Sequence, residues 1–179
     1  MSRTPQALAS ALLLAASPAF AQTTETPPAP KPSAAECAVW ERELAFSDSV
    51  ANKDAKAFAD FVHDNAVFNA TGTNPTRGRE AIVKEWAGII DHSALILSWY
   101  PTQVVIGGED DVAFSSGPAL MESPDPKATQ RYSLVNFTST WHRGDDGTWR
   151  VLFDAGTRAR PASEDEVATY RAGRKACPQ

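Results

Sequence analysis

The chain has 179 residues, of which 42% are hydrophobic and 22% charged, as is typical of a globular protein. This composition excludes a disordered chain, a fibrous repeat and a small disulfide-dense scaffold. The formal net charge of −5 at pH 7 argues against a general nucleic-acid binder, which would need a basic face.

The first 21 residues are typical of a secretory signal peptide. Arg3 precedes the short apolar run Ala7–Ala16, and Ala19 and Ala21 place small residues at the −3 and −1 positions of a cleavage site. The apolar run is about half as long as a membrane span, and no later stretch is long enough. We therefore expect residues 1–21 to be removed and the mature protein to be periplasmic or secreted, with no stable membrane anchor.

Three further regions follow the signal peptide. Residues 22–34 contain four prolines and no apolar periodicity, which predicts an extended linker. The folded domain is expected over residues 35–160. Residues 161–179 are expected to form a C-terminal helix and tail.

Helix signals dominate the first half of the domain. Ser33 and Glu36 have the spacing of a capping box, which predicts a helix over residues 35–51. Asp54 can cap a second helix, and apolar residues at helical spacing predict a third over residues 78–91. A capping box also opens the last predicted helix, over residues 163–175.

Strand signals dominate the second half. One short strand is expected before the third helix, and turn residues separate the later β-rich runs, which predicts consecutive antiparallel hairpins. Helices followed by strands predict an α+β fold, in which a strongly curved antiparallel sheet forms a cone against three N-terminal helices. The predicted strands are 66–70, 95–106, 112–121, 129–142 and 149–157.

Two cysteines lie at opposite ends of the mature domain. In an exported chain, Cys37 and Cys177 suggest one disulfide, although two unpaired thiols are the alternative. The bridge would close a loop of about 140 residues and stabilise the fold by up to about 4–5 kcal/mol.

Several segments resemble the nuclear-transport-factor-2-like superfamily, including its SnoaL-like and ketosteroid-isomerase-like members. The resemblance rests on Phe61–Ile82 (FVHDNAVFNATGTNPTRGREAI), Val112–Pro118 (VAFSSGP) and Trp141–Asp154 (WHRGDDGTWRVLFD), and extends over residues 36–156. It implies a cone-shaped barrel with a pocket between sheet and helices, in a protein that is often dimeric. Members include isomerases, hydrolases, cyclases, dehydratases and non-catalytic binding domains, so the fold does not assign a function.

The resemblance implies three pocket groups for a ketosteroid-type isomerase: a carboxylate base, a tyrosine and a protonated aspartic acid. An ungapped match places these positions on Asn69, on or beside Ala45, and near Ser139. Asparagine cannot abstract a proton at neutral pH, and alanine has no hydroxyl. This isomerase chemistry is therefore not expected.

Asp154 is the strongest catalytic candidate. It follows an apolar strand, and a pocket-facing carboxyl group would have a raised pKa suited to a base, whereas the alternative is a structural strand-end aspartate. Asn69 and Asp154 partly match the limonene-epoxide-hydrolase branch. That branch also implies an Arg-x-Asp acid element, but Arg131 is followed by Tyr132 and Ser133.

Aromatic residues are expected to line a pocket for a small apolar or aromatic molecule. The three histidines lack metal-ligand spacing, and no phosphate- or dinucleotide-binding motif is present, so we expect neither metal nor cofactor. The candidate ligand-binding residues are Trp86, Trp99, Tyr132, His63 and Phe114.

Three functions stay open at this point. The first is an exported domain that binds a small molecule in an aromatic-lined pocket. The second is a SnoaL-like enzyme, of isomerase, hydrolase or lyase type, that uses Asp154 as a base or water activator. The third is a module whose open sheet face forms a homodimer or docks a partner. Whether the protein is an enzyme is not decided by the sequence.

Overall fold

The computed structural model describes residues 31–178. The predicted signal peptide (1–21) and most of the predicted linker (22–34) lie outside the described residues and stay predictions. Within residues 31–178, no helix is both long enough and apolar enough to cross a membrane.

The first two helices begin where their caps predict. Helix α1 spans Ala34–Ala51, and Ser33 and Glu36 form both hydrogen bonds of the capping box. Helix α2 spans Ala55–Phe61, and the Asp54 carboxylate accepts the Ala57 backbone N–H at 2.9 Å. These caps satisfy backbone donors that a helix end otherwise leaves unpaired, so they fix where each helix starts.

The predicted third helix is divided in two. Helix α3 spans Arg79–Glu85 and helix α4 spans Ala87–Ile90, with Trp86 between them at φ −82° and ψ 0°. The break turns the Trp86 ring inward, where it packs 5.1 Å from the Phe58 ring. Helix α5 spans Glu164–Gly173.

The sheet has eight strands among the described residues and is strongly curled. Its main order is β2-β1-β7-β6-β5-β3, with β4 paired to β5 and β8 paired to β6. Strands β1 and β7 run parallel, which consecutive hairpins do not predict. The strands are β1 Val62–Phe68, β2 Thr76–Arg77, β3 Ile96–Trp99, β4 Gln103–Gly107, β5 Val112–Glu122, β6 Tyr132–Arg143, β7 Trp149–Gly156 and β8 Arg160–Pro161.

The single strand predicted over residues 95–106 is wrong, because the chain bends between β3 and β4. Both strands pair with β5, β3 along its second half and β4 along its first half. Gly117 lies between the halves, where a Cβ would come within 2.1 Å of the Tyr100 carbonyl oxygen. Glycine is therefore required for the close passage of the bend over β5.

The inner face of the curled sheet packs against α1 and the helices beside it. On β5 the inward residues Ala113, Ser115 and Ala119 are buried, whereas the outward residues Val112 and Phe114 are exposed. This alternation follows from the two-residue period of a strand. The architecture confirms the predicted α+β cone.

A disulfide joins α1 to the C-terminal tail. Cys37 and Cys177 are bonded, with their Cα atoms 5.4 Å apart. The tail is held further by Trp40, whose indole N–H donates to the Lys175 carbonyl at 3.0 Å, and by an ion pair between Arg174 and Asp48. Such a bridge is consistent with an oxidising, exported location.

Candidate functional site

A cavity of about 280 Å³ opens between the inner face of the sheet and helix α4 with the preceding residue Trp86. Three aromatic rings contribute to its wall, with Trp99 placed 6.3 Å from Trp86 and 6.5 Å from Phe137. Aliphatic side chains such as Leu97, Met121 and Val135 complete the lining. The wall is therefore largely apolar, as is common in small-molecule pockets.

Few polar side chains reach this cavity. Asp154, Asn69 and Thr157 are the polar residues in its wall. No lysine, arginine or histidine within residues 31–178 lines it. A carboxyl group thus shares an apolar space with no cationic side chain beside it.

Asp154 lies on β7 and is half-buried. The Ser139 hydroxyl, on the neighbouring strand β6, donates a hydrogen bond of 2.8 Å to Asp154 Oδ2. Burial raises the pKa of Asp154 to about 8; the Ser139 bond opposes this shift, and the charge of Glu43 adds to it. Asp154 is therefore mostly protonated at pH 7.

Strand register explains why Asp154 faces inward. Ser115, Ser139 and Asp154 are direct cross-strand partners on β5, β6 and β7, so they share one face. A register shift between Thr140 and Trp141 places an extra residue in β7. This bulge lets Asp154 and the buried Val151 face the same side although they are three residues apart. We call Ser115, Ser139 and Asp154 the inner row.

Glu43 was missed by the sequence analysis. It lies on α1, fully buried beneath the inner row. Trp99 Nε1 donates to its Oε1 at 2.6 Å, Trp141 Nε1 donates to its Oε2 at 2.8 Å, and the Ser115 hydroxyl also donates to Oε2. Burial raises the pKa of Glu43, whereas the three donors oppose that shift.

A signal for Glu43 was present in the sequence. It occupies the apolar stripe of α1 between Trp40 and Ser47, where a charged side chain is unexpected. The chain also contains several tryptophans, whose indole N–H groups need acceptors when buried. A carboxyl group in a buried stripe loses its hydration, so it needs hydrogen-bond donors of this kind to offset that loss.

Three of the predicted pocket residues line the cavity besides Asp154. Trp86 and Trp99 form part of its aromatic wall, and Asn69 lies at its exposed edge. Asn69 has a positive φ of 54°, and its amide donates to the Asn74 carbonyl at 3.3 Å. Its side chain therefore also stabilises the loop after β1.

Tyr132 and Phe114, two of the predicted ligand-binding residues, do not line this cavity. Tyr132 is buried elsewhere on the sheet, with the Arg131 guanidinium 4.9 Å from its ring centre. Phe114 faces outward on β5 and is 38% exposed, because its neighbour Ser115 takes the inward position. Ala45, which was matched to the tyrosine position of the isomerases, does not reach the pocket either, because it is exposed on α1.

His63 likewise lies outside the cavity wall. It belongs to β1 rather than to the end of α2, and its ring centre lies 5.6 Å from that of His142. The fold thus brings together two histidines that lie 79 residues apart in the sequence. No group of three or more metal-ligating side chains occurs within the described part of the chain.

Solved structures share this fold at low sequence identity. A protein of unknown function from Pseudomonas putida KT2440, described as NTF2-like, has a TM-score of 0.58 and 15% identity, covering 76% of this chain and 94% of its own. A ketosteroid isomerase-like protein from Erwinia carotovora atroseptica has a TM-score of 0.56 and 14% identity, covering 68% and 94%. A domain of unknown function with a cystatin-like fold, from Nostoc punctiforme, has a TM-score of 0.55 and 18% identity, covering 79% and 86%. These likenesses concern the fold alone.

No curated protein matches the sequence. The SnoaL-like domain family matches residues 44–152, which is more than half of the chain. Glu43 and Asp154 lie just outside the two ends of this match. The match includes Ser115 and Ser139 of the inner row and the three aromatic residues of the cavity wall, and the chain belongs to the SnoaL-like domain family.

Proposed function

We propose that this domain binds a small, mostly apolar ring compound in the cavity, with Asp154 contacting the one polar group of that compound. The observation that carries the proposal is a single protonatable carboxyl group in an aromatic-lined space of about 280 Å³. Apolar walls supply affinity by excluding water, and a lone polar group fixes the orientation of the ligand.

The aromatic wall supports a flat ligand over a flexible chain. Trp99 meets both Trp86 and Phe137 edge to face, so the wall offers a bound ring both aromatic faces and aromatic edges. A ring can pack on such a wall with offset or edge contacts, which are the favoured geometries of aromatic pairs.

Binding of N-phenyl-1-naphthylamine, a neutral probe whose fluorescence rises in apolar sites, tests the proposal. Ala119 is buried on β5 and lines the cavity, so Ala119→Phe fills the cavity from within. We expect this variant to bind the probe at least about tenfold more weakly. The matched control is Phe114→Ser, on the outward face of the same strand, which should bind like the parent protein. Equal binding by Ala119→Phe, with its circular dichroism unchanged, contradicts the proposal.

A second candidate function is catalysis at the same residue. A carboxyl group with a pKa of about 8, held by Ser139, suits proton transfer near neutral pH. Asp154→Asn separates the two functions. An enzyme would lose turnover with its fold intact, whereas a binding domain would keep its affinity for a neutral ligand.

Export is part of the proposal, because the disulfide between Cys37 and Cys177 agrees with the predicted signal peptide. The mature chain should then begin at Gln22. N-terminal sequencing of protein from the exporting compartment checks this, and an intact N-terminus contradicts it.

A further inference from the structure

We infer that the preferred occupant of the cavity is an aromatic amine in its protonated form, held by Asp154. This inference rests on the proposed binding function and names its ligand class. It starts from two carboxyl groups, those of Asp154 and Glu43, that lie at or behind the cavity wall with no cationic side chain beside them. Neither Asp154 nor Glu43 forms an ion pair with any residue in the range 31–178.

Asp154 has one carboxyl oxygen available to a ligand. Ser139 donates to Oδ2, whereas Oδ1 takes no hydrogen bond from the described residues. Among the described residues, the buried side-chain polar atom without a hydrogen-bond partner is His142 Nδ1. Oδ1 of Asp154 also has no partner but is not such a buried atom, so it is accessible from the cavity. The free oxygen therefore faces a space whose other walls are mainly apolar. An ammonium group fits this position because its N–H groups donate and its charge pairs with the carboxylate.

Glu43 strengthens the preference for a cation from behind the wall. It is buried in contact with Trp99, whose ring lines the cavity and whose N–H donates to the Glu43 carboxylate. An indole that donates to a carboxylate becomes more electron-rich, and its ring face then attracts cations more strongly. The same wall thus combines an aromatic face with the carboxyl oxygens of Glu43 behind it.

The neutral alternative makes the opposite prediction with pH. A ligand with a carbonyl group would accept a hydrogen bond from protonated Asp154, so its affinity would be constant up to about pH 8 and then fall. A cation needs Asp154 ionised, so its affinity should rise by up to about tenfold per pH unit between pH 6 and 7.5. The side chains that shift the pKa of Asp154 are those of Ser139 and Glu43. No histidine or lysine is among them, so the change of ligand affinity with pH should reflect the ionisation of Asp154.

Three indoles of different charge test the inference by isothermal titration calorimetry. Tryptamine is a cation, tryptophol is its neutral hydroxyl counterpart, and indole-3-acetate is an anion. We expect tryptamine to bind at least about tenfold more tightly than tryptophol at pH 7.5, with indole-3-acetate weakest. Tryptamine binding at pH 7 should also release close to one proton, detected as a dependence of the enthalpy on buffer.

Two variants that each lack one carboxylate test whether the preference for tryptamine over tryptophol arises at Asp154. Asp154→Asn should remove the preference, leaving tryptamine and tryptophol within about twofold of each other. Asp48→Asn removes a carboxylate that is exposed on α1 and paired with Arg174, and it should leave the preference unchanged.

The outcomes separate this inference from the proposed function. If tryptophol binds as tightly as tryptamine, or if tryptamine affinity does not rise with pH, the cation class is overturned while the cavity stays a binding site. The same holds if the naphthylamine probe binds but none of the indoles displaces it. If neither the probe nor any indole binds, the proposed function itself fails.

Discussion

In one row of side chains across the sheet, the two faces differ in a direction opposite to the usual one. The inner row places Ser115, Ser139 and Asp154 side by side, and Ser115 and Ser139 are at most 1% exposed. One residue further along each strand, an outer row carries exposed apolar side chains. Its apolar members are Val105, Phe114 and Phe153, with the half-buried Thr140 between Phe114 and Phe153, and the exposed fractions of Val105 and Phe153 are both 43%.

This inversion shows which features of each face need an explanation beyond folding. Buried polar groups are costly unless they are hydrogen-bonded, and here Glu43 and the inner row satisfy one another. Exposed large apolar groups that lie on one face of a sheet are typical of a surface that another molecule covers. The inner face therefore carries hydrogen-bonded polar groups beside the cavity, and the outer face carries exposed apolar groups that a homodimer would cover.

The largest expected effect comes from removing the acceptor beneath the inner row. Glu43→Ala leaves the indole N–H groups of Trp99 and Trp141 and the Ser115 hydroxyl without their partner. We expect the free energy of unfolding to fall by about 3–5 kcal/mol, measured by urea denaturation. Glu43→Gln keeps one acceptor oxygen and should cost about half as much. An alanine variant as stable as the parent would show that the network is not structural.

The pH dependence of stability isolates Asp154. Its pKa is raised to about 8 in the folded state, so the folded protein binds more protons than the unfolded chain between about pH 4 and pH 8. Stability should therefore decline as pH rises through this window, by up to about 1.4 kcal/mol per unit from this group. Asp154→Asn should remove the part of this pH dependence of the free energy of unfolding that is due to Asp154, and it should leave the part that is due to Glu43. An unchanged slope in urea denaturation at stepped pH contradicts the assignment.

A smaller effect is expected on the outer face. We propose that the outer row forms a homodimer, so Phe114→Ser and Phe153→Ser should each weaken self-association by at least about tenfold. Sedimentation velocity across a concentration series measures this. Ala119→Phe, on the inner face, is the matched control and should leave the dimer intact. A parent protein that stays monomeric at high concentration rules out this role for the outer row.

The elements that could be predicted from the sequence are those with local chemical signals. The capping residues Ser33, Asp54 and Ser163 mark the starts of three helices within one residue. The long strands β5, β6 and β7 follow the turn residues between them. The two-residue strands β2 and β8 were not predicted, because they exist only through pairing with a neighbouring strand.

The site was only partly predictable because it depends on strand parity and long-range contacts. Trp86, Trp99 and Asp154 were identified from their positions in elements, but Phe114 was assigned to the wrong face. The bulge in β7 that turns Asp154 inward has no clear marker in the sequence. Glu43 needs donors that lie 56 to 98 residues away, so its environment exists only in the folded chain.

The central claim is that the inner face holds a carboxyl group which is protonated at neutral pH inside an aromatic cavity. A pH titration of the Asp154 carboxyl carbon by NMR, in the parent protein and in Glu43→Gln, tests it most directly. We predict a pKa of about 8 in the parent, a lower pKa when the charge of Glu43 is removed, and a further shift when tryptamine is added. Titration of Asp154 near the ordinary aspartate value, unaffected by either change, would contradict the account.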